Sequence, residues 1–313
     1  MIKDYRKFIL RIISGLFLFL LALFLLLNNW VLFVVFVIVT QFLAIWEISS
    51  IFSKKYYVDK FFLFFVAFYL DILVYVNSTD VITVLDNVRF NSDKLIFFIL
   101  SIFFVFLIFS VNFISYVQNN LKNIYNKSNE IEKDNIWDFT KANRVTYEYF
   151  INSLGVNMII LFYAIIPFSL VIFISSLKNG VLLLLIVFTN FLNDIFAYLV
   201  GKVLGRNKFF EFISPNKTLE GFIGGVIGGV LGGIFWIYFS KLYLIFGMYK
   251  LVILVVLMSL FAPFGDLFAS LIKRGFELKE ISNIIPGHGG VLDRFDSFIF
   301  SVYIFSFIFF LFF

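Results

Sequence analysis

Two polar stretches carry the groups able to do chemistry. From Ser259 to Ser297 the chain reads SLFAPFGDLFASLIKRGFELKEISNIIPGHGGVLDRFDS. Three aspartates, Asp266, Asp293 and Asp296, stand there among Lys273, Arg274, Lys279 and Arg294, in a protein that otherwise avoids charge. Asp266 falls at or near the end of an apolar helix, and Asp293 and Asp296, three residues apart, share a face if the chain there is helical. Carboxylates and phosphate oxygens are the hard ligands that magnesium prefers, while lysine and arginine offset the remaining negative charge. The set suits a polyphosphate held with a divalent cation.

The second stretch begins inside an apolar run, where Asn190, Asn193 and Asp194 interrupt Val181–Val200. An ionised carboxylate at the centre of a span costs about 2.5–3.5 kcal/mol on insertion scales, so it turns toward protein or a watery cavity. Asn190, Asp194 and Tyr198 follow one another at offsets of four on one helical face, which suits an interhelical hydrogen bond as well as a functional role. The loop that follows, GKVLGRNKFFEFISPNKTLEGFIGG, carries Lys202, Arg206, Lys208, Ser214, Lys217, Thr218 and Glu220. Pro215 and Asn216 mark a turn ahead of Lys217, and Thr218 is placed to cap the next helix. Fixed basic groups, hydroxyls and a helix N-terminus together suit phosphate, although the spacing is not that of a P-loop. Glu220 suits orienting Lys217 and touching a metal equally. His288, the only histidine, sits in PGHGG; its glycines permit a sharp turn and close approach to a ligand. Substrate positioning or proton transfer suits it better than magnesium ligation, for which carboxylates are the better donors.

The elements that must hold these stretches are apolar helices. Of 313 residues 62% are hydrophobic and 14% charged, with 49 Phe and a mean hydropathy of +1.00. Repeated apolar runs of about 20 residues match a bilayer core and exclude a water-soluble globular domain. The expected architecture is an all-α, polytopic membrane protein with nine spans, near Phe8–Leu27, Trp30–Ser50, Phe61–Val76, Lys94–Val117, Val156–Ser176, Val181–Gly201, Gly221–Ser240, Leu251–Ile272 and Ser297–Phe313. The first run is long, lacks a small-residue cleavage site and is followed by further spans, so it reads as a retained helix rather than a signal peptide. Residues 1–180 form an N-terminal membrane region of five spans, and 181–313 a C-terminal catalytic region of four.

With the N-terminus in the cytoplasm, twenty of the 25 basic residues fall on the inside and five, Arg89, Lys94, Lys178, Lys241 and Lys250, outside. This asymmetry supports the orientation and sets both polar stretches on the cytoplasmic side of a cell membrane. The net charge of +5 follows from the same bias and calls for no nucleic-acid partner; basic loops beside an anionic leaflet also sit near lipid headgroups. The absence of cysteine excludes disulfides and thiolate metal sites. The outside loop Asn77–Asp93 spaces its acids too irregularly for a metal site. The inside segment Gln118–Ser153 reads as amphipathic stretches at the membrane surface, and Pro167 as a kink in the fifth span. Glycines 221, 225, 229 and 233, with 224, 228 and 232 beside them, form a small face for close helix packing.

The order of these motifs resembles the phosphatidate cytidylyltransferases, also called CDP-diacylglycerol synthases. The resemblance rests on Asp194-Ile-Phe-Ala197-Tyr198, Gly201-Lys202, Gly205-Arg206, Ser214-Pro215-Asn216-Lys217-Thr218-Leu-Glu220-Gly221, Gly265-Asp266-Leu267, Ser270-Leu-Ile-Lys273-Arg274 and Pro286-Gly287-His288-Gly289-Gly290-Val-Leu-Asp293-Arg294-Phe-Asp296-Ser297. It covers about residues 190–297; the N-terminal half matches only as a series of hydrophobic spans. Where the family commonly has Lys-Asp, this chain has Lys279-Glu280, which keeps the carboxylate but lengthens it.

The resemblance implies cytidylyl transfer from CTP to phosphatidate, giving CDP-diacylglycerol and pyrophosphate. It assigns Asp266 and Asp293 to Mg2+, with Asp296 as ligand or neighbour of the ligands and Asp194 completing the electrostatic site. Lys217, Lys273, Arg274 and Arg294 become phosphate contacts, and Lys202, Arg206, Ser214, Thr218, Lys279, Gly289 and Gly290 nucleotide-binding positions. It further implies a second cation such as K+, and a homodimer. A different class stays open at this point, an ion-coupled transporter using intramembrane Asp194. The concentration of charge in two same-side loops favours interfacial chemistry over it, and a noncatalytic scaffold gives no reason for the motifs.

Overall fold

The computed structural model describes residues 17–84, 151–211, 213–215, 217–282, 284–285 and 289–312. Within them every regular element is helical, and two isolated bridges, Lys208 with Thr218 and Ile285 with Gly289, pair backbone outside the helices. Helix α1 covers Phe17–Asn28, α2 Trp30–Phe52 and α3 Lys60–Val84. A π-turn at Leu161–Ile165 leads into α4, Ile166–Ser176. Helix α5 spans Val181–Leu204, α6 Leu219–Phe239, α7 Met248–Gly275 and α8 Leu292–Phe312.

Five helical stretches among the described residues are long and apolar enough to cross a bilayer: Trp30–Phe52, Ile151–Leu204, Leu219–Phe239, Met248–Gly275 and Leu292–Phe312. The protein is an all-helical, multi-pass membrane protein. The second of these stretches holds two expected spans. Lys178, Asn179 and Gly180 adopt left-handed φ values of 47°, 54° and 79°, which a continuing helix cannot contain, so the 54-residue stretch breaks there into two arms. Residues 8–16 of the first expected span lie outside the described residues, and α1 overlies the rest of it; α3 overlies the third expected span and, among the described residues, is not one of the five. The expected span Lys94–Val117, the loop before it from Leu85 and the surface segment up to residue 150 lie outside the described residues.

Local sequence sets the helix boundaries. Asn29 caps α2 by accepting the Leu32 N–H at 3.2 Å, and Thr218 caps α6 by accepting the Gly221 N–H at 3.1 Å, each satisfying a donor that has no partner inside the helix. The expected kink at Pro167 takes the form of the π-turn just ahead of it. Proline offers no N–H to the carbonyl four residues earlier and its ring crowds that carbonyl, so the chain widens by a residue there. The Phe162 carbonyl, five residues before Pro167, accepts from the Tyr303 hydroxyl of α8, and the Ile165 carbonyl accepts from Gln41 Nε2 of α2 at 3.0 Å.

The glycine face of α6 is spent inside the chain. A Cβ at Gly225 would stand 2.6 Å from Asn193 Oδ1, one at Gly224 2.5 Å from Val200 Cβ and one at Gly232 2.8 Å from the Phe188 carbonyl, all on α5. At Gly229 it would meet Ser259 Oγ of α7 at 2.6 Å. The stripe thus lets α6 lie against α5 and α7 at backbone distance, and it gives no ground for a homodimer built through these glycines.

Adding a single methyl at this contact is expected to overpack it. Gly232→Ala should cost about 1–3 kcal/mol and lower the thermal unfolding midpoint in detergent. Gly155→Ala, which meets nothing within 4 Å, should leave the midpoint unchanged or raise it.

Candidate active site

Helix α7 does not end at Asp266 but runs on to Gly275. Asp266 and Lys273, seven residues apart, therefore lie on one face two turns from each other. Pro263, one turn before Asp266, cannot donate to the Ser259 carbonyl. Asn193 of α5 supplies the missing donor, Nδ2 to Ser259 O at 2.8 Å, and Lys217 Nζ donates to the Pro263 carbonyl at 3.3 Å. The break in the helical ladder is thus the point where α7 is tied to α5 and to the loop after it. Asn190 acts in the same way, its Oδ1 accepting from Ser301 Oγ of α8 at 2.7 Å. For these two asparagines the interhelical hydrogen bond is what the structure contains.

Two lysine–carboxylate pairs close the centre. Lys217 Nζ meets Asp266 Oδ2 at 2.6 Å, joining the loop before α6 to the middle of α7. Lys273 Nζ meets Asp293 Oδ1 at 2.9 Å, with side chains only 15% and 5% exposed, joining the last turn of α7 to the first turn of α8. Asp293 spends its other oxygen on backbone, accepting from Ile281 N–H at 2.8 Å and Gly290 N–H at 3.1 Å. It holds Lys273 and the chain around it, and of the expected metal donors it is the most fully engaged. Asp296, one turn along the same face of α8, accepts from Ser297 N–H at 2.8 Å. Gly265 permits its approach, because a Cβ there would strike the Asp296 carbonyl.

The charge of Asp266 acts on Asp194 and Asp296, and that of Asp194 on Asp296, with Lys217 acting on Asp194 and Lys273 on Asp296. Tyr163, buried on the π-turn and packed on Phe268 with ring centroids 5.2 Å apart, feels Asp296, Asp266 and Asp293. Three helices, α5, α7 and α8, and the loop before α6 thus bring the acids and two lysines to one end of the bundle. Among the described residues no three carboxylate or imidazole groups converge closely enough to hold a metal by themselves.

The loop between α5 and α6 is a folded unit. Phe209 N–H donates to the Lys217 carbonyl and Leu219 N–H to the Asn207 carbonyl, both at 2.9 Å. Lys208 Nζ donates to the Pro215 carbonyl at 2.7 Å. Glu220 reaches back to accept Arg206 N–H at 3.1 Å and Asn207 Nδ2 at 2.8 Å, so it shapes this loop rather than pairing with Lys217. Thr218 is engaged as the α6 cap. Ser214 is half-buried beside it. Lys202, Arg206, Arg274, Lys279 and Arg294 are exposed; Lys202 lies over the Tyr198 ring with its Nζ 5.6 Å from the centroid. Gly289 takes a left-handed φ of 86° and its N–H donates to Ile285 O at 3.2 Å. His288 lies outside the described residues.

One participant gave no motif. Glu47 of α2, fully buried, accepts from Ser282 Oγ at 2.6 Å, Val291 N–H at 2.8 Å and Leu292 N–H at 3.1 Å. The signal that finds it is the rule already applied to Asp194: it is the lone charged residue of an apolar helix, and such a residue turns inward to partners.

A helical membrane bundle with paired lysines and carboxylates gathered at one end defines an integral membrane protein with a charged site at that end. The family model of the cytidylyltransferase family matches residues 9–312, and the chain belongs to that family. It is 43% identical over 109 residues to a phosphatidate cytidylyltransferase of Staphylococcus haemolyticus (strain JCSC1435). It is 45% identical over 109 residues to a phosphatidate cytidylyltransferase of Staphylococcus aureus (strain COL). The aligned stretch is 35% of this chain and 41% of each relative, so less than half the length of either is matched. Nothing in the family or the site supports the transporter reading of Asp194.

The tie at Pro263 carries its own expectation. Asn193→Ala leaves the Ser259 carbonyl buried without a donor, and stability should fall by about 1–3 kcal/mol, read as a lower unfolding midpoint in detergent. An unchanged midpoint would show that this hydrogen bond does not hold α7 to α5.

Proposed function

We propose that this protein transfers the cytidylyl group of CTP to phosphatidate, giving CDP-diacylglycerol and pyrophosphate, with the active end of the bundle on the cytoplasmic side of the membrane. The observation that carries the reading is the convergence of Asp194, Asp266 and Asp296 with Lys217 and Lys273, from three helices and a loop, in a member of the cytidylyltransferase family. A phosphate oxygen of phosphatidate attacks the α-phosphorus of CTP; the new P–O bond forms as the bond to the bridging oxygen breaks, and pyrophosphate leaves with that electron pair. The nucleophile is already anionic near neutrality, so the main obstacle is to bring two anions together in line.

Lys217 and Lys273 meet that obstacle by presenting ammonium groups whose positions are fixed by Asp266 and Asp293. Exposed Arg206, Arg274, Lys279 and Arg294 extend the positive rim on which phosphates and lipid headgroups would settle. Magnesium commonly takes one or two carboxylates together with substrate phosphates and water, and the oxygen donors Asp194, Asp266 and Asp296 fit that mode. When bound, it would offset phosphate charge and polarise the phosphoryl oxygens. Asp293, engaged by lysine and backbone, serves as the support of Lys273.

Purified protein in lipid should release pyrophosphate only with CTP and phosphatidate both present, should form the CDP-lipid, and should stop when magnesium is omitted. Asp266→Asn and Lys273→Met should each lower kcat by about 10²- to 10³-fold, as loss of a fixed electrostatic group does. Near-native turnover in both variants would end the site assignment. Pyrophosphate release without CDP-lipid would end the choice of acceptor.

A further inference from the structure

The first two turns of α8 carry Asp293 and Asp296, and their geometry depends on what fixes the leading N–H groups of the helix. The first N–H groups of a helix have no partner within it and together present partial positive charge. Here the donors around that end are met by two carboxylates. Asp293 folds back onto Gly290 and Ile281 N–H. Glu47, 244 and 245 residues away in sequence, takes Val291 and Leu292 N–H, and its Oε1 also receives the Ser282 hydroxyl. The contact is close, since a Cβ at Gly290 would stand 2.9 and 3.1 Å from the two Glu47 oxygens. Glu47 therefore binds the residues immediately before Asp293 and the loop leading to them, from a helix that contributes nothing else charged.

We propose that Glu47 is a positioning residue of the active site: it caps α8 from α2 and fixes the turn in which Asp293 meets Lys273 and Asp296 faces Asp266. The role of those groups in turnover rests on the cytidylyl-transfer reading above; the hold of Glu47 on the chain does not. Without it, the Val291 and Leu292 N–H groups lose their acceptor inside an apolar bundle, and the first turn of α8 is free to rotate. On this view the N-terminal membrane region is part of the catalytic frame. It sets the register of the helix that carries two of the acids.

Two measurements on full-length protein in lipid separate the outcomes. Glu47→Gln keeps the shape but turns an amide donor toward backbone donors. For CTP- and phosphatidate-dependent pyrophosphate release its kcat per folded molecule should fall about 100-fold, the scale of a small misplacement of reacting groups, with the KM for CTP little changed. Deuterium exchange across residues 281–292 should rise in the variant whether or not the reaction is the one proposed. Ser282→Ala, which removes one of three donors, should give a smaller fall in kcat and a smaller rise in exchange; it serves where Glu47→Gln does not fold. A lower unfolding midpoint with normal kcat would make Glu47 merely structural and overturn the proposal, as would unchanged exchange. A wild-type protein inactive on these substrates, with exchange still rising in Glu47→Gln, would overturn the reaction reading and keep the hold of Glu47 on α8.

Discussion

Carboxylates in an apolar bundle must be compensated, and that constraint arranges the functional half of this protein. Removing a charge from water costs several kcal/mol even after relaxation, and attraction to a partner offsets it only when geometry and hydrogen bonds are good. The chain meets the requirement in two ways. Asp266 and Asp293 each take a lysine. Asp293 and Glu47 take backbone N–H groups at the start of a helix. The Lys217–Asp266 pair and the Glu47 contacts join elements distant in sequence, so compensation of charge and assembly of the site are there the same event.

The interruptions of regular structure serve that assembly. Pro263 removes one donor from the ladder of α7, and the carbonyl it exposes is where Asn193 attaches. The π-turn before Pro167 leaves the Phe162 carbonyl to Tyr303 and places Tyr163 in the field of the three acids. The glycines of α6 bring α5 and α7 to backbone distance, which stations Asp194 near Asp266. Bonds of this kind are directional, while contacts between apolar side chains in lipid discriminate little between one helix rotation and another. The few polar ties therefore fix rotation and register for helices whose apolar surfaces leave them open.

Membership of the cytidylyltransferase family places the site in a class of group-transfer chemistry, and the arrangement suits it. Two ammonium groups held by carboxylates are preorganised, so they need little rearrangement to meet developing phosphate charge. The same carboxylates keep those lysines from spreading along the surface toward other anions. Exposed Arg206, Arg274 and Lys279 stand outside this fixed set, where long side chains can track a headgroup or a nucleotide.

Much was legible in the sequence because it depends on local composition. Apolar runs announce membrane helices, asparagine and threonine announce caps, a dense glycine stripe announces close packing, and acids among bases at the ends of apolar runs announce a site. Other features were invisible because they depend on which helices become neighbours. Glu220 could not be assigned to the loop behind it until that loop closed, and the partners of Asp293, two N–H groups and Lys273, come from segments that only folding brings to it. Glu47 has no motif in its vicinity. Sequence alone determined that this chain would be a helical membrane protein with a charged, phosphate-suited end, since hydropathy and charge act within a few turns. Only the tertiary structure decided which acid holds which lysine and that Glu47 of α2 binds the start of α8, because those partners are chosen by packing between segments as much as 245 residues apart.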